Sequence, residues 1–184
     1  MTKQFVVLMS CLLVTACASS VDRLPALPSN AVGPYRLGAG DTLQLVVFGE
    51  ADLSGTYRVS DSGSIAVPLL GPVAADGLTL AQLQQQLVEK LKENAVRAPN
   101  VTVSVSEYRP FFILGEVKTP GSYPYVPKMT VLTAVAIAGG FTYRASEGEI
   151  SVTRHLSEKP LEARASRDAT VLPGDVIYVF ERHL

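Results

Sequence analysis

The sequence of 184 residues has no tryptophan, only two cysteines and two histidines, and almost no net charge, with 16 Lys and Arg against 17 Asp and Glu. So few cysteines and histidines argue against a disulfide framework and against a zinc-type metal site. The balanced charge lacks the basic surface of a nucleic-acid-binding protein. We therefore expect no metal, no cofactor and no nucleic-acid partner.

Long hydrophobic runs are also lacking. Beyond the N-terminus, the longest stretch without charge is the segment between Lys128 and Arg144. It is interrupted by Gly139 and Gly140 and is shorter than the roughly 20 apolar residues that span a bilayer. Hydrophobic residues nevertheless make up 47% of the chain, enough for a real core. The length allows one or two domains.

The N-terminus has the pattern of a secretory signal peptide. Lys3 precedes the apolar run Phe5–Val14, and the small residues Thr15 and Ala16 follow it. Such a run is too short to span a bilayer and is typical of a cleaved signal, which we place at residues 1–16. Val14-Thr15-Ala16-Cys17 also resembles the bacterial lipobox, in which the Cys thiol receives a diacylglyceryl group. We predict lipidation of Cys17; the alternative is that Cys17 is merely a small residue near a cleavage site.

Cleavage there removes Cys11 and leaves one Cys, so that no intramolecular disulfide is possible. By resemblance to bacterial lipoproteins, Ala18 rather than Asp after the Cys favours the outer membrane. Residues 17–34 contain Pro25, Pro28 and Pro34 and are predicted to be a semi-extended, lipid-anchored tether.

The first part of the mature chain alternates strands with one helix. Gly40-Asp41 is predicted to be a turn that leads into a buried strand at Leu43–Phe48, followed by short strands at Tyr57–Val59 and Ile65–Val67. Thr79 and Gln82 form a capping-box pattern. The helix after it carries an apolar stripe and should end before Pro99; the stripe consists of Leu80, Leu83, Leu87 and Leu91. Val101, Val103 and Val105 alternate with polar residues and predict a half-buried strand.

A second set of elements follows Arg109-Pro110. The run Phe111–Val117 contains Gly115 and Glu116 and predicts a strand. Pro120 and Gly121 occupy the second and third positions of Thr119–Ser122, which predicts a type II turn returning into a strand at Ser122–Val126.

A second helix is predicted from Val131 to Ala138, with Thr130 as its N-cap and Gly139, followed by Gly140, as its left-handed C-terminal cap. A strand around Ile150–Arg154, an irregular charged stretch and a last strand at Val176–Phe180 complete the chain. Gly174-Asp175 before that strand echoes Gly40-Asp41. In each copy, the Gly supplies a positive φ and the Asp carboxylate is expected to bond amides two residues on.

These pieces together resemble the polysaccharide export family, which includes the Wza-type outer-membrane lipoproteins. YRLGAGDTLQLVVF is similar to the start of its export domain, and GEVKTPGSYPY, TVLTAVAIAGGFTYRA and LPGDVIYV are similar to one SLBB domain, a β-grasp-like module. The resemblance implies an α+β fold, with an export domain at residues 35–108 and an SLBB domain at residues 109–184.

The resemblance further implies export of capsular polysaccharide or exopolysaccharide by a ring-shaped homo-oligomer that works with an inner-membrane polysaccharide co-polymerase. Larger family members carry further SLBB domains and a pore-lining C-terminal helix, whereas this chain stops at Leu184. We therefore expect a periplasmic ring anchored to the outer membrane of a Gram-negative bacterium, with a separate outer-membrane barrel completing the route. The alternative is a monomeric, lipid-anchored adaptor that binds a ligand or carbohydrate.

Candidate catalytic and binding residues are few, and no enzymatic activity is expected. Asp41 and Asp175 could form a carboxylate pair for glycoside chemistry, but Gly-Asp turns explain both. His155 and His183 lack ligand-like neighbours. Glu116 could contact a sugar or a partner, or be hairpin surface. Several tyrosines could stack on sugars or pack against sheets, and the sequence does not decide between these roles; they are Tyr57, Tyr108, Tyr123, Tyr125, Tyr143 and Tyr178.

Overall fold

The computed structural model describes residues 20–27, 33–94, 96, 98–156 and 159–182. Within these ranges the chain forms ten β-strands and two α-helices, with short 3-10 helices at Ser20–Arg23 and Ala51–Leu53. The buried apolar residues form two clusters, a first core drawn from residues 37–103 and a second core drawn from residues 111–179. The predicted α+β class is confirmed.

The first core lies under a three-stranded antiparallel sheet. Its strands are β1 (Thr42–Val47), β2 (Gly55–Arg58) and β5 (Val101–Glu107), with β1 in the centre. A separate hairpin is formed by β3 (Ser64–Val67) and β4 (Gly71–Ala74). Strand β4 was not predicted, because Gly71 and Pro72 both disfavour strands. Proline is tolerated there since β4 pairs on one side only.

Helix α1 (Leu80–Glu93) begins at the predicted capping box. The Thr79 hydroxyl accepts a hydrogen bond from the Gln82 amide at 3.3 Å, and the Gln82 side chain accepts one from the Thr79 amide at 2.9 Å. Leu83, Leu87 and Leu91 are buried on the face that packs toward β5. Each such leucine contributes about 1.5–3 kcal/mol by leaving water, so the leucine stripe holds α1 on the sheet.

The second core lies between a five-stranded mixed sheet and helix α2 (Val131–Ile137), whose N-cap is Thr130. The strands are β6 (Phe111–Gly115), β7 (Gly121–Tyr123), β8 (Ala145–Leu156), β9 (Lys159–Ala165) and β10 (Val176–Glu181). They are ordered β7-β6-β10-β8-β9, and only the pair β6–β10 is parallel. The first and last strands of this unit are thus central neighbours under one helix, the arrangement of a β-grasp-like module.

The predicted type II turn at Thr119–Ser122 is wrong. Gly121 does not have a positive φ; it begins β7 and pairs with Ile113 of β6. The reversal lies earlier, after Gly115, whose φ is 82°. A Cβ at Gly115 would come within 2.1 Å of the Val179 carbonyl oxygen, so the close approach of β10 also requires glycine there.

The charged stretch before the last strand is not irregular, contrary to the prediction, because Lys159–Ala165 is strand β9. Ala163 and Ala165 are buried while Glu162 and Arg164 are exposed, so the strand does alternate. Alanine and charged residues have low β-propensity, and pairing with β8 overrides it.

The predicted buried strand Leu43–Phe48 is one residue too long at its C-terminal end. Strand β1 ends at Val47, and the Phe48 side chain that follows is 82% exposed.

Residues 20–27 do not form the expected extended tether. Val21 is buried, and Leu27 packs against the second core. The Leu27 amide donates to the Arg164 carbonyl at 2.7 Å, and the Arg164 amide donates to the Pro25 carbonyl at 2.8 Å. This segment therefore covers part of the free edge of β9, whose backbone groups would otherwise be unpaired. Cys17 lies outside the described residues.

Candidate functional site

The two Gly-Asp sequences form the same turn. Gly40 has φ 95° and Gly174 has φ 85°. The Asp41 carboxylate accepts a hydrogen bond from the Gly38 amide at 2.9 Å, and the Asp175 carboxylate accepts one from the Leu172 amide at 2.7 Å. Each Asp thus closes its own turn through the residue three positions before it, whereas the prediction placed the bond two residues on. Each turn leads into a strand, β1 or β10.

Each Asp also pairs with an arginine. Arg109 Nη1 lies 3.1 Å from Asp41 Oδ2, and the Arg109 amide donates to Asp41 Oδ1 at 2.9 Å. Arg154 Nε and Nη2 donate to the two oxygens of the Asp175 carboxylate, at 2.9 and 2.7 Å. Both carboxylates are buried. Removal of one partner from such a buried pair leaves an uncompensated charge, so the pairs fix the turns in place.

Arg109 connects the two turns. Its Nε donates to the Pro173 carbonyl at 3.1 Å, so that one side chain touches the Asp41 turn and the turn before β10. A Cβ at Gly38 would lie 2.1 Å from Arg109 Nη1, and one at Gly174 would lie 2.9 Å from Arg109 Nε. A Cβ at either position would therefore push the guanidinium group away from its hydrogen-bond partners in the two turns. No sequence pattern indicates this contact beyond the position of Arg109 between two predicted strands.

Three tyrosines line the same junction. The Tyr35 and Tyr108 rings meet edge to face at 5.1 Å, and the Tyr108 and Tyr125 rings at 5.3 Å. The Tyr35 hydroxyl donates to Asp41 Oδ2 at 2.6 Å and accepts from Arg109 Nη1 at 3.2 Å. Burial, and then the hydrogen bond to Asp41, raise the pKa of Tyr35 far above its ordinary value, so this hydroxyl stays protonated. Tyr108 and Tyr125 are among the stacking candidates predicted from the sequence, whereas Tyr35 is not.

A cavity of about 850 Å³ opens beside these tyrosines, with walls from both cores. Besides the three tyrosines, its charged or titratable lining residues are Arg36, Asp76, Arg109, Lys128, Arg154, His155 and Asp175. We refer to this cavity as the junction cleft. Four candidate residues from the sequence meet in this cleft: Tyr108, Tyr125, His155 and Asp175. The cations Arg36 and Lys128 also line it and were not among the predicted site residues.

The other predicted motif residues lie near the opposite end of β10. Gly115 pairs with Val179, and Glu116 accepts a hydrogen bond from the Thr142 hydroxyl. Gly139 and Gly140, with φ of 84° and 93°, end α2. The Lys118 amide donates to the Gly140 carbonyl at 3.0 Å, which holds the β6–β7 connection against that helix end. Pro120 and Gly121 close this connection.

The described residues contain no group of three or more His, Cys, Asp or Glu side chains placed to hold a metal ion. His155 is exposed at the junction cleft, and His183 lies outside the described residues. In the same described ranges, no helix has the length and apolar character needed to cross a membrane.

The structure thus defines an α+β protein with two cores that meet at a charged, tyrosine-lined cleft. Two family models match it in succession: residues 29–106 match the polysaccharide biosynthesis/export protein family, and residues 110–163 match the SLBB domain. The chain belongs to the polysaccharide biosynthesis/export family and carries an SLBB domain.

Three curated relatives are similar to the chain. It is 32% identical over 153 residues to the exopolysaccharide production protein ExoF of Rhizobium meliloti (strain 1021), a match that covers 74% of this chain and 36% of ExoF. It is 31% identical over 172 residues to the EPS I polysaccharide export outer membrane protein EpsA of Ralstonia solanacearum, covering 78% of this chain and 45% of EpsA. The polysialic acid transport protein KpsD of Escherichia coli is 32% identical over 108 residues, covering 58% of this chain and 19% of KpsD. The chain therefore spans less than half the length of these relatives.

Proposed function

We propose that this protein is a component of an export apparatus for capsular polysaccharide or exopolysaccharide. The observation that carries the proposal is the consecutive match to the export and SLBB family models. The names of the relatives, which describe production, export or transport of polysaccharides, agree with it. We also propose residues 35–108 and 109–184 as its two domains, a division supported by the two separate cores.

The protein acts without catalysis in this proposal. Asp41 and Asp175, the carboxylates considered for glycoside chemistry, are each bound by an arginine and a backbone amide. A general acid must exchange a proton with its substrate. The hydrogen bonds and ion pairs of these two carboxylates give them a structural role that needs no such reaction.

In this proposal the protein lies on the periplasmic side of the outer membrane and is anchored there by lipid on Cys17. The signal-peptide and lipobox patterns support the anchor, and the name of EpsA as an outer membrane protein supports the location. An inner-membrane co-polymerase would deliver the polymer.

The export component is proposed to assemble as a homo-oligomeric ring. An exposed apolar patch on the five-stranded sheet supports this. Phe112 and Leu114 of β6 and Tyr178 of the neighbouring strand β10 are exposed and face away from α2. The half-buried Phe180 packs edge to face against Tyr178. Exposed patches of this kind mark interaction surfaces. In a ring, one face of each subunit meets a different face of the next.

A second candidate function is a monomeric, lipid-anchored adaptor that binds a ligand or carbohydrate. The observation in its favour is the junction cleft, which a single chain completes by itself.

The export proposal is tested by deleting the gene in its host and measuring polysaccharide in the medium, on the cell surface and in the periplasm. We expect loss from the medium and surface, restored by the wild-type gene. Unchanged export in the deletion strain would refute the export role.

A further inference from the structure

We propose that the junction cleft binds a short segment of acidic saccharide, through the rings of Tyr108 and Tyr125 and the cationic groups of Arg36 and Lys128. The inference rests on the proposed role in polysaccharide export, because that role supplies the class of ligand. It adds where in the subunit the polymer is contacted and which chemistry recognises it.

The size of the cleft and the origin of its walls suit such a ligand. Its volume of about 850 Å³ lies within the roughly 300–1,000 Å³ of typical small-molecule sites. Tyr35 and Arg36 come from the segment before β1, Lys128 from the segment before α2, and Leu172 from the turn before β10. A bound segment would therefore touch both cores at once.

The tyrosines are positioned before any ligand arrives. The hydrogen bond to Asp41 holds the Tyr35 ring in place. Tyr108 packs edge to face against Tyr35, and Tyr125 packs edge to face against Tyr108, so that all three rings are held. Tyr108 and Tyr125 are each half-buried, so part of each ring remains accessible. Rigid aromatic rings offer apolar area for the C–H faces of a sugar, with a hydroxyl group at the edge for hydrogen bonding.

The charges favour an acidic sugar. Arg109 and Arg154 are already paired with Asp41 and Asp175. Arg36 and Lys128 are exposed, and neither forms a salt bridge with any described carboxylate. Asp76 is the carboxylate that remains on the wall.

Arg36 is also anchored in place. Its Nη1 donates to the Gly77 carbonyl at 2.7 Å, which fixes the side chain while other N–H donors stay free for a sugar carboxylate.

The test measures binding to the mature lipoprotein in detergent by calorimetry, with hexagalacturonate as the acidic probe and maltohexaose as the neutral probe. The test variant is Arg36→Gln with Lys128→Gln. Its control is Arg182→Gln with Lys92→Gln: Arg182 is likewise exposed and donates to one backbone carbonyl, of Tyr143 at 2.6 Å, but does not line the cleft. Tyr125→Ala tests the aromatic contribution.

We expect hexagalacturonate to bind the wild type and the control equally, and maltohexaose to bind more weakly. The double cleft variant should bind hexagalacturonate at least about tenfold more weakly, and Tyr125→Ala should weaken both probes. No binding of hexagalacturonate at millimolar concentration, or equal binding by the cleft and control variants, overturns the inference.

Export assays separate this inference from the export proposal. If the deletion strain loses export but the double cleft variant neither binds hexagalacturonate less tightly nor exports less, the cleft inference fails and the export role stands. If the deletion strain exports normally, the export role itself fails.

Discussion

Arg109 Nε lies 3.1 Å from the Pro173 carbonyl oxygen, which joins the segment between the two cores to the turn before the last strand. The same guanidinium group neutralises the fully buried Asp41. One side chain therefore links the Asp41 turn of the first core to the turn before β10 at the wall of the junction cleft.

Arg109→Ala should lower the free energy of unfolding by about 3 kcal/mol, because it leaves the Asp41 carboxylate buried without its cation. The matched control is Arg144→Ala, which breaks the exposed pair with Glu181 and should cost less than about 1 kcal/mol. Urea denaturation of both variants measures the difference. Equal costs would mean that the junction pair contributes no more than a surface pair.

Gly38→Ala should be destabilising mainly because its Cβ would collide with the Arg109 guanidinium group. The cost should therefore shrink in an Arg109→Ala background, giving a coupling free energy of about 1 kcal/mol or more. Gly148→Ala, where no atom lies within 4 Å of the new Cβ, serves as the control. Strictly additive costs for Gly38→Ala and Arg109→Ala would contradict the close packing described here.

Tyr35 should make the fold sensitive to alkali. Its pKa is raised in the folded state, first by burial and then by the bond to Asp41, so its stabilising effect is complete below the unfolded pKa of about 10 and is lost as pH rises above it. Tyr35→Phe should flatten the fall in stability above about pH 10, measured by urea denaturation at several pH values. Tyr143→Phe, which changes an exposed ring, should leave the slope as in the wild type; a wild-type slope in Tyr35→Phe would contradict the assignment.

Lipidation of Cys17 is tested by Cys17→Ser, which removes the thiol at the lipobox position that would form the thioether. The variant should accumulate as an unlipidated precursor that takes up no labelled palmitate and is absent from the outer-membrane fraction. Equal labelling of the wild type and the variant would contradict lipidation at Cys17.

Local patterns predicted local structure well. The capping box at Thr79 and the leucine spacing defined α1, and the alternation from Val101 defined β5. The contacts that build the cleft could not be predicted in this way. Arg109 and Pro173 are 64 residues apart and Arg154 and Asp175 are 21 apart, and hydrophobic periodicity carries no information about which distant side chains pair. Strand β9 was missed for a related reason, since its formation depends on β8 rather than on its own residues.

The apolar patch on β6 and β10 is the surface that we expect to be buried if the subunits form the proposed ring. Leu114 is 44% exposed in the centre of the patch, beside Tyr178, and Leu132 is similarly exposed, at 50%, on α2. Both positions should accept Glu with a change in stability within about 0.5 kcal/mol. Leu114→Glu places a charge that must lose water if the patch is an interface, so light scattering of the detergent-solubilised lipoprotein should show a shift from oligomer to monomer. Leu132→Glu should keep the wild-type mass. A wild-type protein that stays monomeric in detergent, even with its co-polymerase present, would contradict the ring, and an oligomer unaffected by Leu114→Glu would place the interface on another face.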